Sequence, residues 1–251
     1  MGKVIVFANQ KGGVGKTTTT ANLGAYLAEA GKRVLLVDFD PQGNLSSSVG
    51  AHVEEDSIYD VVTKGIPIKE VIQETTVKNL FVVPSNIDLT GANVELIEEK
   101  EREFFLKKVL NSIHEEWDYI LIDCPPSLGL LTVNGLVAAD YVLVPLQCEY
   151  FALEGLTLLL QTIQRVQKNL NPELSIAGIV FTMYDSRTKL ANEVVQEVTN
   201  YFKDKVFRTI IPRNIRLSEA PSHGVPINQY NASCSGARSY KELAEEVIKR
   251  V

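Results

Sequence analysis

Val4-Ile5-Val6-Phe7-Ala8 runs straight into Asn9-Gln10-Lys11-Gly12-Gly13-Val14-Gly15-Lys16-Thr17-Thr18, and the pattern from Thr17 to Ala30, closed by Gly31, is helical. Strand, glycine loop and helix in that order make the arrangement that phosphate binding needs. Glycines let backbone N–H groups turn inward, the helix aims the partial positive charge of its N-terminus at the anion, and Lys16 neutralises the oxygens. Thr17 supplies a hydroxyl for Mg²⁺. Lys11, Gly12, Gly13, Val14, Gly15, Lys16, Thr17 and Thr18 are therefore the candidate cradle. A dinucleotide reading, with Gly13-Val14-Gly15 opening GxGxxG and Asp38 holding a ribose, fails at Thr18, where the third glycine should stand, and leaves Lys16 without a purpose.

Outward from that loop, short apolar runs recur: Val34 to Val37, Tyr119 to Ile122, Tyr141 to Val144 and Ile176 to Phe181. Unbroken runs predict strands buried on both faces. The leucine spacing from Leu153 to Leu170 predicts a helix, and Tyr240 to Val251 places Leu243, Ala244, Val247, Ile248 and Val251 on one stripe docked on a core. Alternating strands and helices imply an α/β fold, a mostly parallel twisted sheet with helices on both faces. Without a linker, repeat or low-complexity tract, residues 1–251 read as one domain. The mixed charges from Glu98 to Glu103 read as a solvated helix face.

Two apolar runs end in acids, Val37-Asp38-Phe39-Asp40-Pro41-Gln42-Gly43-Asn44 and Ile122-Asp123-Cys124-Pro125-Pro126-Ser127. Both set carboxylates at the carboxyl end of a strand, where open α/β sheets bind ligands. Asp123 follows four apolar residues, as a Walker B aspartate does, and suits the Mg²⁺ shell, since Mg²⁺ keeps waters and takes few protein ligands. Asp38 and Asp40, two apart, share a side unless the strand has already turned.

The 251 residues are 45% hydrophobic and 22% charged, which excludes collagen-like, disordered and disulfide-scaffold classes. Lys plus Arg number 25 against 31 Asp plus Glu, a net charge of -6, so nothing global advertises nucleic acid. Locally, Arg187 to Arg216 holds seven basic residues against three acids, a segment able to bind phosphates without reading sequence. Cys124, Cys148 and Cys234 fit neither a disulfide ladder nor a zinc clip and suggest a reducing cytoplasm. No apolar run approaches a membrane span.

Gln10 stands where the common phosphate loop has its first glycine, and Lys11 adds a second lysine. The loop thereby resembles the deviant Walker A motif, KGGxGK[ST], of the ParA/MinD superfamily of dimerising ATPases. That resemblance implies that Lys11 reaches across a two-fold interface to the partner's nucleotide, that Asp40 orients or deprotonates the attacking water, and that Asp38 belongs to the metal's second shell. Met183-Tyr184-Asp185-Ser186-Arg187-Thr188 and Ile211 to Ala220 are similar to the Soj/ParA branch, which covers Lys3 to about Val247. There the resemblance implies ATP and Mg²⁺ as cofactors, an ATP-dependent homodimer, nonspecific double-stranded DNA bound through Arg187 and Arg216, and a ParB-type centromere-binding protein that stimulates hydrolysis. It implies a cytoplasmic, nucleoid-associated protein. Pro212 and Asn214 would border the adenine, and the chain lacks the Asn-Lys-x-Asp guanine signature.

The chain carries no extra N-terminal helix-turn-helix region, so sequence-specific operator binding is not expected. A MinD-like membrane ATPase is the alternative, but its relatives end in a basic amphipathic helix, whereas this chain stops at Lys249-Arg250-Val251, and no membrane partner is expected. An iron–sulfur ATPase would need a suitable pair of interface cysteines, and none is evident.

Overall fold

Along the central strands the side chains alternate between two apolar layers, which is why no polar residue interrupts the runs. Val4, Val6, Leu35, Val37, Ile120 and Ile122 face one layer, and Ile5, Phe7, Leu36 and Leu121 face the other. The computed structural model describes residues 2–251. From the N-terminus come β1 (Lys3–Phe7), α1 (Lys16–Glu29), β2 (Val34–Asp38), α2 (Asn44–Ser48), α3 (Ile58–Lys64), α4 (Ile68–Val71) and β3 (Gln73–Glu74). The middle holds β4 (Leu80–Val83), α5 (Leu89–Glu95), α6 (Phe105–Asn111), β5 (Tyr119–Asp123), α7 (Leu130–Ala138), β6 (Tyr141–Gln147) and α8 (Ala152–Asn169). β7 (Ser175–Tyr184), α9 (Lys189–Phe202), β8 (Val206–Pro212), α10 (Ile215–Glu219), α11 (Ile227–Asn231) and α12 (Ser235–Arg250) complete it.

The strands form one eight-stranded sheet in the order β3-β4-β2-β5-β1-β6-β7-β8. All neighbours are parallel except β3, which pairs antiparallel with β4. The expected parallel α/β architecture is thus the one observed. The connections from β1 lead to one side of it and those from β6 to the other, so the chain changes direction at the centre of the sheet. The carboxyl ends of β1, β2 and β5 converge there, at the switch point where such sheets bind ligands.

All five anticipated strands are present, and β2, β5, β6 and β7 run further than their apolar cores. β3, β4 and β8 were not anticipated. β4 is only four residues long, and β8 carries Arg208 inside the segment whose charge suggested an open surface. The final helix docks as expected through Leu243, Ala244 and Val247, while Ile248 is 36% exposed, at the edge of the stripe. Glu98 to Glu103 is not a helix face. α5 stops at Glu95, Glu101 takes a left-handed φ of 57°, and a short 3₁₀ turn follows.

Both sheet edges are closed. β3 is two residues long. Along β8, the Glu246 carboxylate of α12 accepts from Arg208 N at 3.0 Å and Thr209 N at 3.2 Å. Arg250, one turn later, donates to the carbonyls of Ala177 and Val206 and lies 4.2 Å from the Phe207 ring centroid.

Candidate functional site

Between β1 and α1 the backbone turns through Gly13 (φ 71°) and Gly15 (φ 82°), left-handed conformations that L side chains rarely adopt. Gly15 is the N-cap of α1, so the first N–H groups of that helix open toward the loop. The loop is tied at both ends. Asn9 Oδ1 accepts from Lys11 N at 3.0 Å while its Nδ2 donates to Pro145 O on β6, and Thr182 Oγ1 on β7 donates to Val14 O at 2.8 Å. Val14 is thereby buried, contributing backbone rather than side chain. Lys16 is also buried, its Nζ 3.4 Å from Lys11 O, and burial lowers its pKa against the pull of Asp123, Cys124 and Asp40.

Asp38 and Asp123 lie side by side in register at the ends of β2 and β5, both fully buried. Asp123 Oδ2 accepts from Thr17 Oγ1 at 2.6 Å, but its Oδ1 has no hydrogen-bond partner. Burial, reinforced by the Asp38 charge, pushes the Asp123 carboxyl up to about 8. A buried carboxylate oxygen without a partner, beside a second carboxylate and a threonine hydroxyl, is a place for a hydrated cation. Among the described residues no group of three or more His, Cys, Asp or Glu is set to ligate a metal. Mg²⁺ fits such a site, because it keeps several waters and takes one or two protein ligands plus phosphate oxygens.

Asp38 and Asp40 do not share a side, because β2 ends at Asp38 and the chain has already turned. Asp38 faces inward. Its Oδ2 accepts from Ser46 N at 2.8 Å and Ser46 Oγ at 2.7 Å, its Oδ1 from Asp40 N at 3.3 Å, and burial raises its pKa to about 6. Ser46 Oγ in turn accepts from Ser85 N. Asp38 thus staples the loop that carries Asp40, and Asp40 itself lines the open cavity.

That cavity, about 480 Å³, runs from Gly12, Gly13, Lys16, Thr17 and Thr18 past Asp40 to an apolar end at Met183, Ile211, Pro212, Leu217 and Pro221. Pro212 and Asn214, which the resemblance places beside an adenine, line it. Asn214 is committed elsewhere, since its Oδ1 accepts from Arg216 N as the cap of α10 and its Nδ2 donates to Ser235 Oγ.

Several lining or supporting residues escaped the sequence reading, three of them from distant elements. Thr182 anchors the loop, Met183 holds φ 49° at the cavity wall, and Tyr240 lines the cavity with its hydroxyl 3.1 Å from Thr19 Oγ1. Only a fold connects these positions to the loop, although a non-glycine residue with positive φ next to a cavity is a mark of a functional site once coordinates exist.

Six sequence candidates do not line the cavity: Val14, Asp38 and Asp123, which are buried, and Lys11, Arg187 and Arg216, at the surface. The Lys11 ammonium pairs with Glu149, just after β6, on the surface. Arg187 is 86% exposed and grips Asp185 with two parallel bonds, Nε to Oδ1 at 2.8 Å and Nη2 to Oδ2 at 2.6 Å, which hold the Asp185 carboxyl down to about 2. Arg216 on α10 pairs with Glu219 at 2.7 Å. None of the described helices is long and apolar enough to cross a membrane.

Residues 2–176 match the protein-family model described as AAA domain. The chain is 64% identical over its whole length, and over 98% of the other protein, to the chromosome-partitioning ATPase Soj of Treponema pallidum. It is 55% identical, over 98% of both chains, to the sporulation initiation inhibitor protein Soj of Bacillus subtilis. Among solved structures, a Mycobacterium smegmatis protein described as cobyrinic acid a,c-diamide synthase, with bound ATP analogue and magnesium, superposes with a TM-score of 0.89. It is 39% identical over 99% of this chain and 95% of that one.

Proposed function

The chain belongs to the Soj/ParA family of chromosome-partitioning ATPases, and on that footing we propose that it binds ATP with Mg²⁺, pairs as a homodimer when loaded, and rides nonspecifically on double-stranded DNA until a ParB-type protein triggers hydrolysis. The observation that carries this reading is the single cavity joining a glycine cradle, Lys16 and Asp40 to an apolar slot at Pro212, Leu217 and Pro221, a shape and polarity that suit a triphosphate at one end and a base at the other.

In this reading the backbone N–H groups of Gly12 to Thr18 hold the β-phosphate and Lys16 neutralises the oxygens beside it. Thr17 and Asp123 would hold the metal, which would supply positive charge against that developing on the transferred phosphoryl group. Asp40 positions the attacking water, kept in place by the Asp38–Ser46 bonds, while Asp38 adds negative charge to the metal's surroundings. Lys11, outside its own cavity, serves the triphosphate of the second copy in place of an arginine finger. Arg187 and Arg216 exchange their carboxylate partners for DNA phosphates, and the ATP-loaded protein sits on the nucleoid.

Amide synthesis, the activity named for the mycobacterial structure, is not the reading preferred, because the relatives of higher identity over the full chain are partitioning proteins. ATPase assays with and without DNA and a ParB-type protein test the proposal. Stimulation by both together is expected. Turnover indifferent to both would overturn it.

A further inference from the structure

Beside the ion pair of Lys11 and Glu149 stands a feature that the nucleotide chemistry does not use. Tyr150 and Phe151 are 76% and 64% exposed, packed edge to face on each other with centroids 5.1 Å apart. Two adjacent exposed aromatics are the type of side chain that anchors protein contacts. On the other side of the phosphate loop lies a groove of about 420 Å³, in which Ile97, Leu128, Leu130 and Val133 form an apolar side next to Asn93, Arg102 and Glu103, with Ile97 56% exposed.

Their places in the sheet relate them. The groove borders the loop that follows β5, the glycine loop follows β1, and the aromatic pair follows β6, three neighbouring parallel strands with β1 in the middle. Knob and groove therefore flank the phosphate loop on opposite sides of one sheet edge. A two-fold axis through the middle of that edge exchanges the sides, so the knob of each copy meets the groove of the other. A self-complementary surface of this kind is what an isologous dimer requires.

We propose that Tyr150 and Phe151 insert into the Ile97–Leu128–Leu130–Val133 groove of a second copy of this chain and supply the apolar part of the nucleotide-dependent dimer contact. This rests on the ATP-dependent pairing proposed above and names the surface that accomplishes it. Lys11 sits next to the knob, so the same docking that buries the aromatics carries its ammonium toward the partner and draws it away from Glu149.

The test uses the full chain with Mg²⁺ and a non-hydrolysable ATP analogue. Tyr150→Ser with Phe151→Ser, and separately Ile97→Glu, change only exposed side chains, so melting temperature and binding of a fluorescent ATP analogue should match wild type. In sedimentation each variant is expected to weaken dimerisation by about tenfold or more. Mixed Phe151→Cys and Ile97→Cys chains should form a disulfide-linked pair only when the analogue is present. Wild-type dimerisation in both variants, or no cross-link, overturns the proposal while leaving ATP-dependent pairing standing. Normal dimers that no longer respond to a ParB-type protein overturn it too, by giving the surface to that protein. A wild-type chain that stays monomeric with the analogue sinks the underlying reading as well.

Discussion

The phosphate loop and the segment carrying Arg187 and Arg216 hold charge under opposite conditions. In the first, Lys16, Asp38 and Asp123 are buried, Lys16 placed by the backbone turn through Gly13 and Gly15 and the two aspartates by the paired ends of β2 and β5. In the second, each arginine lies in water, held by a carboxylate two or three residues away. A buried charge without its partner carries a penalty of several kcal/mol, whereas an exposed ion pair is worth about 1 kcal/mol or less. The loop is accordingly a rigid socket whose charges await one ligand. The arginines are loosely capped and can change partners at little cost to the fold.

The contrast is broken most severely at Lys16. Lys16→Ala should lower ATP affinity by about a thousandfold, near the upper range for truncating a buried charge partner, read by equilibrium binding. Retained affinity would mean that the loop is no socket. Asp40→Ala should keep binding and slow hydrolysis by about a hundredfold or more, accumulating dimer, measured as single-turnover phosphate release. At the surface, Arg187→Glu with Arg216→Glu should leave ATP-driven dimers intact, lower DNA affinity by about tenfold or more, and flatten the logarithmic salt dependence by roughly four units, since a dimer carries each arginine twice. Unchanged DNA binding would move that surface elsewhere.

The smallest effect concerns pH, and its sign differs between the regions. An aspartate titrates near 4 in an unfolded chain, and Asp123, raised to about 8, holds its proton more tightly when folded. The stability it contributes without nucleotide or metal is complete below about pH 4, and falls progressively up to about pH 8. Asp185, lowered to about 2, works the other way, its contribution being lost as pH falls from about 4 to 2. Above the range of Asp38, melting curves from pH 6 to 8 should therefore decline for the empty protein and flatten in Asp123→Asn, while Asp185→Asn leaves that slope alone.

What could be read from residues alone follows the same division. Gly13 and Gly15 were legible because few other residues take their backbone angles, and β1, β2, β5, β6 and β7 because strands buried on both faces admit only apolar side chains. Asp123 was legible by its place after such a run. Asp38 ends its strand as expected, yet its bonds to Ser46, eight residues on, depend on where α2 starts, which no local pattern reveals. Thr182, Met183 and Tyr240 reach the cavity from elements 165 or more residues beyond Lys16 in the chain, so only the closed sheet assembles them. β8 was hidden because Arg208 interrupts its apolar pattern at an edge, where one side of a strand may carry charge.

The short β3 and the capped β8 have a consequence for the nucleotide-controlled pairing proposed above. An uncovered parallel strand offers its backbone to any other chain, and fibres grow that way with no nucleotide to dissolve them. By occupying two N–H groups of β8, Glu246 denies incoming strands that template, and the two-residue β3 leaves almost none on the far side. In the proposed cycle, reversible traffic is then confined to the one face where a spent triphosphate is able to undo it.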